Sequence, residues 1–124
     1  MTSKQAGVIL HHIRRLAAAP AVAQPPDAQL LERFTAHRDE AAFTTLVRRH
    51  GPMVLNVCRS VLHHEHDAED AFQATFLVLA RKAASIRQPG AVAGWLYEVA
   101  YRAAITAQAD ATRRRSREIG RAHV

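Results

Sequence analysis

The side chains best suited to chemistry lie in one short run, His63-His64-Glu65-His66-Asp67-Ala68-Glu69-Asp70. Histidines beside carboxylates are metal-ligand types, and paired carboxylates are a common means of acid–base catalysis. The spacing favours neither. Adjacent histidines in a turn rarely converge on one ion, and the single cysteine, Cys58, leaves no thiol pair to complete a coordination set. No nucleophile, phosphate-cradling glycine loop or nucleophile elbow accompanies the acids. The expectation is no enzyme, no metal and no cofactor. A helix start explains the acids better. Asp67 is a suitable N-cap, and Glu69 and Asp70 then lie in the first turn, at the positive end of the helix dipole.

The residues that follow must hold those acids in place. Phe72, Phe76, Leu79, Ala83 and Ile86 recur at helical spacing, giving one apolar face with a period of about 3.6 residues to about Ser85. The other side carries Asp70, Gln73 and Leu77. A carboxylate, an amide and an exposed leucine on one surface suit docking to a partner better than catalysis.

The neighbouring segments also read as helices. After Pro25-Pro26, Asp27 is an N-cap for a helix to about His37 carrying Leu30, Leu31 and Phe34 inward. Asp39 caps a longer helix whose stripe is Phe43, Leu46 or Val47, His50, Val54, Val57 and Val61. Gly51-Pro52 interrupts it, and a mid-helix proline costs about 3 kcal/mol unless the helix bends there. The apolar register resumes in phase at Val54, which predicts one kinked, continuous helix. His63–His66 form a turn, and Arg87-Gln88-Pro89-Gly90 form a loop. The last helix runs from about Val92 to beyond Ala109, with Val92, Leu96, Val99, Ala103 and Ala107 inward and Trp95 beside them. Nothing reads as a strand. The fold class is all-α, a compact bundle of about four helices with basic tails.

Charge is placed unevenly along the 124 residues, whose net charge is +6. Residues 1–26 hold Lys4, Arg14 and Arg15 and no acid, the segment 27–98 is close to neutral, and residues 99–124 hold six arginines against Asp110 and Glu118. A basic end beside a neutral body suits nucleic acid, and equally a solvated tail. Cys58 on an apolar face is a small buried hydrophobe in a reducing cytosol. No apolar run approaches the ~20 residues of a membrane span, so a cytoplasmic protein without a membrane partner is expected. Arg14-Arg15 followed by Leu16–Ala23 faintly imitates a signal peptide, but the apolar part is short and broken by Pro20. Gly7–Leu16 has the pattern of a short helix within an otherwise flexible tail and linker at 1–26.

Three segments together carry a family resemblance: Phe43-Thr-Thr-Leu-Val-Arg-Arg-His50, then Asp67-Ala-Glu-Asp-Ala-Phe-Gln73 with Thr75-Phe-Leu-Val-Leu79, then Gly94-Trp-Leu-Tyr-Glu-Val-Ala-Tyr-Arg102. In this order and spacing the chain resembles region 2 of the extracytoplasmic-function group of bacterial RNA polymerase sigma factors (sigma-70 family), over roughly Asp27 to Arg117. The resemblance implies a domain that joins core RNA polymerase, recognises the promoter minus-ten element and helps hold its non-template strand single. It implies docking of the acidic helix on the β′ subunit coiled coil through Asp70 and Gln73, with Asp67, Glu69 and Leu77 as neighbours. Many relatives carry glutamate after the glutamine, where this chain has Ala74. An anti-sigma factor is a further implied partner.

By the same resemblance, the loop Ser85–Val92 and the last helix face DNA. Single strands are held by stacking on flat side chains and by charge neutralisation. Trp95, Tyr97 and Tyr101 supply flat groups, Trp95 having core packing as its simpler role and Tyr101 lying off the stripe. Arg87, Arg102, Arg113, Arg114 and Arg115 supply charge, Arg102 and Thr106 stand one turn apart for base or phosphate contacts, and Gly90 allows close approach of a flipped base. Residues 27–117 are thus the expected helical domain. One coding of Glu118–Val124, GAG-ATC-GGA-AGA-GCA-CAC-GTC, looks like a common sequencing adapter, so 118–124 is expected to be a read-through artefact, disordered or incidentally helical, on a gene truncated before region 4 and its helix-turn-helix. Two other readings stay open: a helical protein-interaction module without DNA affinity, and a helix-turn-helix regulator. The aromatic start of the last helix does not suit base-edge readout in the second.

Overall fold

The computed structural model describes residues 25–122. The helix expected at Gly7–Leu16 lies outside the described residues. Among them are four α-helices and no strand: α1 (Asp27–His37), α2 (Glu40–Val61), α3 (Glu65–Lys82) and α4 (Val92–Ala122). Short 3-10 turns at Ala83–Ser85 and Pro89–Ala91 join α3 to α4. This is the expected all-α bundle.

Local chemistry sets the boundaries. α1 ends where Arg38 turns left-handed at φ 51° and its N–H donates to the Phe34 carbonyl at 2.9 Å. Asp39 then caps α2, its Oδ1 accepting from the amides of Ala41 at 3.0 Å and Ala42 at 3.2 Å. α2 continues unbroken through Pro52, with Gly51 buried, Pro52 exposed, and Val54, Leu55, Val57 and Cys58 returning to the core.

Two expected caps are corrected. Pro26, not Asp27, occupies the N-cap of α1, and the Asp27 carboxylate reaches α2 instead. Its Oδ1 accepts from Arg49 Nη1 at 2.7 Å, and its Oδ2 lies 2.8 Å from His50 Nε2. A long-range pair of partners outcompetes the local amides. Likewise α3 starts at Glu65 after His64, leaving Asp67 inside the first turn rather than at the cap. Arg59, in the last turn of α2, grips both Glu65 oxygens through Nε at 3.1 and 3.0 Å and draws that residue into the helix. The same hydrogen bond raises the Arg59 pKa above its ordinary value.

A single core joins the helices. Leu46, Val54, Cys58, Phe72, Thr75, Leu79, Val92 and Leu96 are its largest fully buried side chains. Along α4 the fully buried positions are Val92, Leu96, Ala100 and Ala104, whereas Val99, Ala103 and Ala107 are only half-buried. The expected stripe is therefore rotated. α4 packs on both α2 and α3, and the row that nestles between two helices is deeper than a row facing either one. α1 closes the bundle from the α2 side and packs against both 3-10 turns.

Two outcomes follow. Asp39→Ala should lower unfolding free energy by about 1 kcal/mol in denaturant titration, the ordinary loss for an N-cap. Burial pushes the Cys58 thiol from 9.0 up to about 11. The unfolded thiol loses its proton first, so its contribution to stability should be complete below pH 9.0 and fall away as pH rises toward about 11. Denaturation midpoints across that window should slope more steeply for the wild type than for Cys58→Ala.

Candidate functional site

The start of α3 is tied to the end of α2 by the exposed Arg59–Glu65 ion pair, and its inner face is packed through Ala68, Ala71, Phe72, Thr75, Phe76 and Leu79, all buried. The Thr75 hydroxyl is satisfied by donating to the Ala71 carbonyl at 2.8 Å. At about 100° per residue, the side opposite Phe72 carries Asp70, Ala74, Leu77 and Arg81, each exposed. Asp70 keeps 57% of its side chain in solvent, with only His66 nearby at 4.0 Å. Asp67 and Glu69 are half-buried at the margins. A long acidic-to-basic outer row with Leu77 at its centre is thereby presented to solvent.

Gln73 does not belong to that row. It is 5% exposed, which overturns its expected place on a bare docking flank. The reason is the width of the buried arc. α3 packs on both α2 and α4, so the burial spans far more than the Phe72–Phe76–Leu79 stripe, and Gln73, about 100° from Phe72, falls at its edge. Ala74, one residue on, occupies the open position.

The loop between α3 and α4 exposes Arg87, Gln88, Pro89 and Gly90. Gly90 has no positive φ, and a Cβ built there would meet nothing within 4 Å. The fold itself does not require glycine at this point. On α4, Trp95 is half-buried against the core, whereas Tyr97 (53%), Tyr101 (49%) and Ile105 (41%) form an exposed ladder four residues apart. Tyr97 and Tyr101 are two of the three flat groups expected on this helix, and Ile105 extends their surface with an apolar side chain.

The structure separates the basic residues expected to act together. Arg102, Thr106, Arg113, Arg114 and Arg115 are all exposed, but on different sides of α4. By helical phase Tyr97, Tyr101 and Arg115 share one side, and Trp95, Arg102, Thr106 and Arg113 another. Arg114 falls five turns after buried Leu96, on the inner side. There Arg114 and Arg117 line a groove of about 390 Å³ with Asp67, Asp70, Asp110 and Arg113. Arg113 is ion-paired to Asp110. A second groove of about 440 Å³ runs over Val61, Leu62 and Ile105, with His63, His64 and Asp67 on one wall and Arg113 and Arg115 on the other. Beyond Ala111 every described side chain of α4 is exposed, Glu118–Gly120 included.

No three His, Cys, Asp or Glu side chains among the described residues are grouped to hold a metal ion. No described helix is long and apolar enough to cross a membrane.

Comparison with known proteins places the chain in a family. The model of sigma-70 region 2 matches residues 46–116. Over 69 residues the chain is 36% identical to the ECF RNA polymerase sigma factor SigE of Mycolicibacterium smegmatis (strain ATCC 700084 / mc(2)155), a stretch that covers 53% of this chain and 26% of that protein. The chain thus spans about a quarter of that relative's length. No solved structure matches.

The two docking positions should respond differently to truncation. Gln73→Ala should cost about 1–3 kcal/mol, since it strips a buried amide of its place in the packing and leaves its surroundings unsatisfied. Asp70→Ala should stay within about 0.5 kcal/mol of wild type, as exposed substitutions do. Thermal unfolding followed by circular dichroism separates the two.

Proposed function

We propose, from the premise that the chain belongs to the sigma-70 region 2 family, that it binds core RNA polymerase through the outer row of α3 and promoter minus-ten DNA through the α3–α4 loop and α4. It acts in transcription initiation by binding energy alone, with no catalytic side chain. The observation that carries this reading is the exposed Asp70–Leu77 row standing on a fully packed inner face.

In this reading Asp70 and Leu77 meet the β′ coiled coil, with Asp67 and Glu69 at the margins. Gln73 acts from beneath, fixing the helix rather than offering its amide. Melted bases stack against Tyr101 and its neighbour Tyr97, with Trp95 at the edge of the core. Arg115 contacts phosphates on the tyrosine side of α4, and Arg102 and Thr106, on the side of Trp95, contact phosphates or base edges together with Arg87 of the loop. Gly90 leaves room for a flipped base, which fits a glycine that the fold does not itself need. The work is done in the cytoplasm, where an anti-sigma factor could restrain it by covering the same α3 row.

Core polymerase and a single-stranded minus-ten oligonucleotide, titrated separately, test the two halves. Asp70→Ala should weaken polymerase binding and leave oligonucleotide binding unchanged. Ala74→Glu restores the acid of many relatives at an open position and should tighten the polymerase complex. Arg102→Gln and Arg115→Gln should each lower the salt slope of oligonucleotide binding by about 0.7, the value for one phosphate contact on a single strand. A wild-type chain that binds polymerase but no oligonucleotide would leave an interaction module; one that binds neither would refute the proposal.

A further inference from the structure

The groove between the start of α3 and the end of α4 carries three acids and three arginines. Asp110 and Arg113 neutralise one another within it. Asp67, Arg114 and Arg117 make no ion pair among the described residues, and Asp70 has only the distant His66. Both signs of charge thus stand open on the two walls of one cleft.

Such a surface selects its partner. A polyanion drawn to Arg114 and Arg117 would be pressed against Asp67, Asp70 and Asp110, and like charges brought together oppose binding. A uniformly basic surface meets the reverse problem. Only a partner that carries both signs, suitably spaced, compensates each wall as it is desolvated. DNA offers one sign; a protein surface can offer both. The cleft also adjoins the α3 row through Asp70, which belongs to both.

We infer that Arg114 and Arg117 belong to the protein-docking surface rather than to the DNA interface, and that the docked protein presents acidic and basic side chains side by side across this cleft. The inference rests on the reading of α3 as the polymerase-docking helix. It divides the arginine run: Arg114 and Arg117 turn to protein, while Arg115 shares the side of Tyr97 and Tyr101.

The test uses the full chain with core polymerase and, separately, a single-stranded minus-ten oligonucleotide at several salt concentrations. Arg114→Gln/Arg117→Gln should weaken polymerase binding about tenfold, the scale of a partly desolvated charge pair, and leave the oligonucleotide salt slope at the wild-type value. Arg114→Lys/Arg117→Lys, which keeps the charge, should recover most of the polymerase affinity. A drop in the oligonucleotide slope of about 1.4 with unchanged polymerase affinity would return both arginines to DNA and overturn the inference. No change in either titration also overturns it. Asp70→Ala separates the levels: if that variant binds polymerase like wild type, the docking reading itself fails, whereas sensitivity at Asp70 with indifference at Arg114 and Arg117 removes only the inference.

Discussion

Close approach of α4 to its neighbours through small side chains is the constraint on which the rest depends. Ala100 and Ala104 on α4, and Ala68 and Ala71 on α3, are buried with almost no exposed area. Alanine allows helix axes to approach toward the short end of the usual 8–10 Å range. It also brings little apolar area of its own, so the large residues Phe72, Leu79 and Leu96 must supply the hydrophobic stabilisation. A seam built this way tolerates no enlargement, because extra methylenes in a filled core force neighbours off their rotamers. It also fixes the rotation of α4 and hence which of its side chains look outward.

Much of this was legible before any coordinates. The Asp39 cap and the continuity of α2 across Pro52 follow from cap chemistry and from apolar register, both of which are local. The errors share a cause. Asp27 and Asp67 have the right residue type for caps, but a distant arginine or a neighbouring ion pair claimed the position, and spacing along one chain does not reveal such a competitor. Gln73 was read as exposed because it is polar, yet a helix packed on two sides buries more than its apolar stripe. The rotated stripe of α4 has the same origin: alanine at Ala100 and Ala104 is equally at home inside and outside, and only the packing decides.

The arginine run near the end of the chain shows how composition can mislead about purpose. As a string of letters it reads as one basic patch. On a helix, neighbouring residues point about 100° apart, so the patch dissolves into sides that face different surroundings. Asp67 and Asp70, far away in sequence, then line one groove with Arg114, and Arg115 does not.

The clasp of Asp27 on Arg49 and His50 has a mechanical consequence. It pins the beginning of α1 to the middle of α2, and α1 is the backstop against which both ends of the α3–α4 loop rest. The loop has glycine and proline but little core of its own, so its shape is borrowed from that backstop. A half-buried carboxylate at the rear of the bundle thus bears on how firmly a surface loop at the front keeps its form, and with it how narrowly the loop discriminates among whatever it touches.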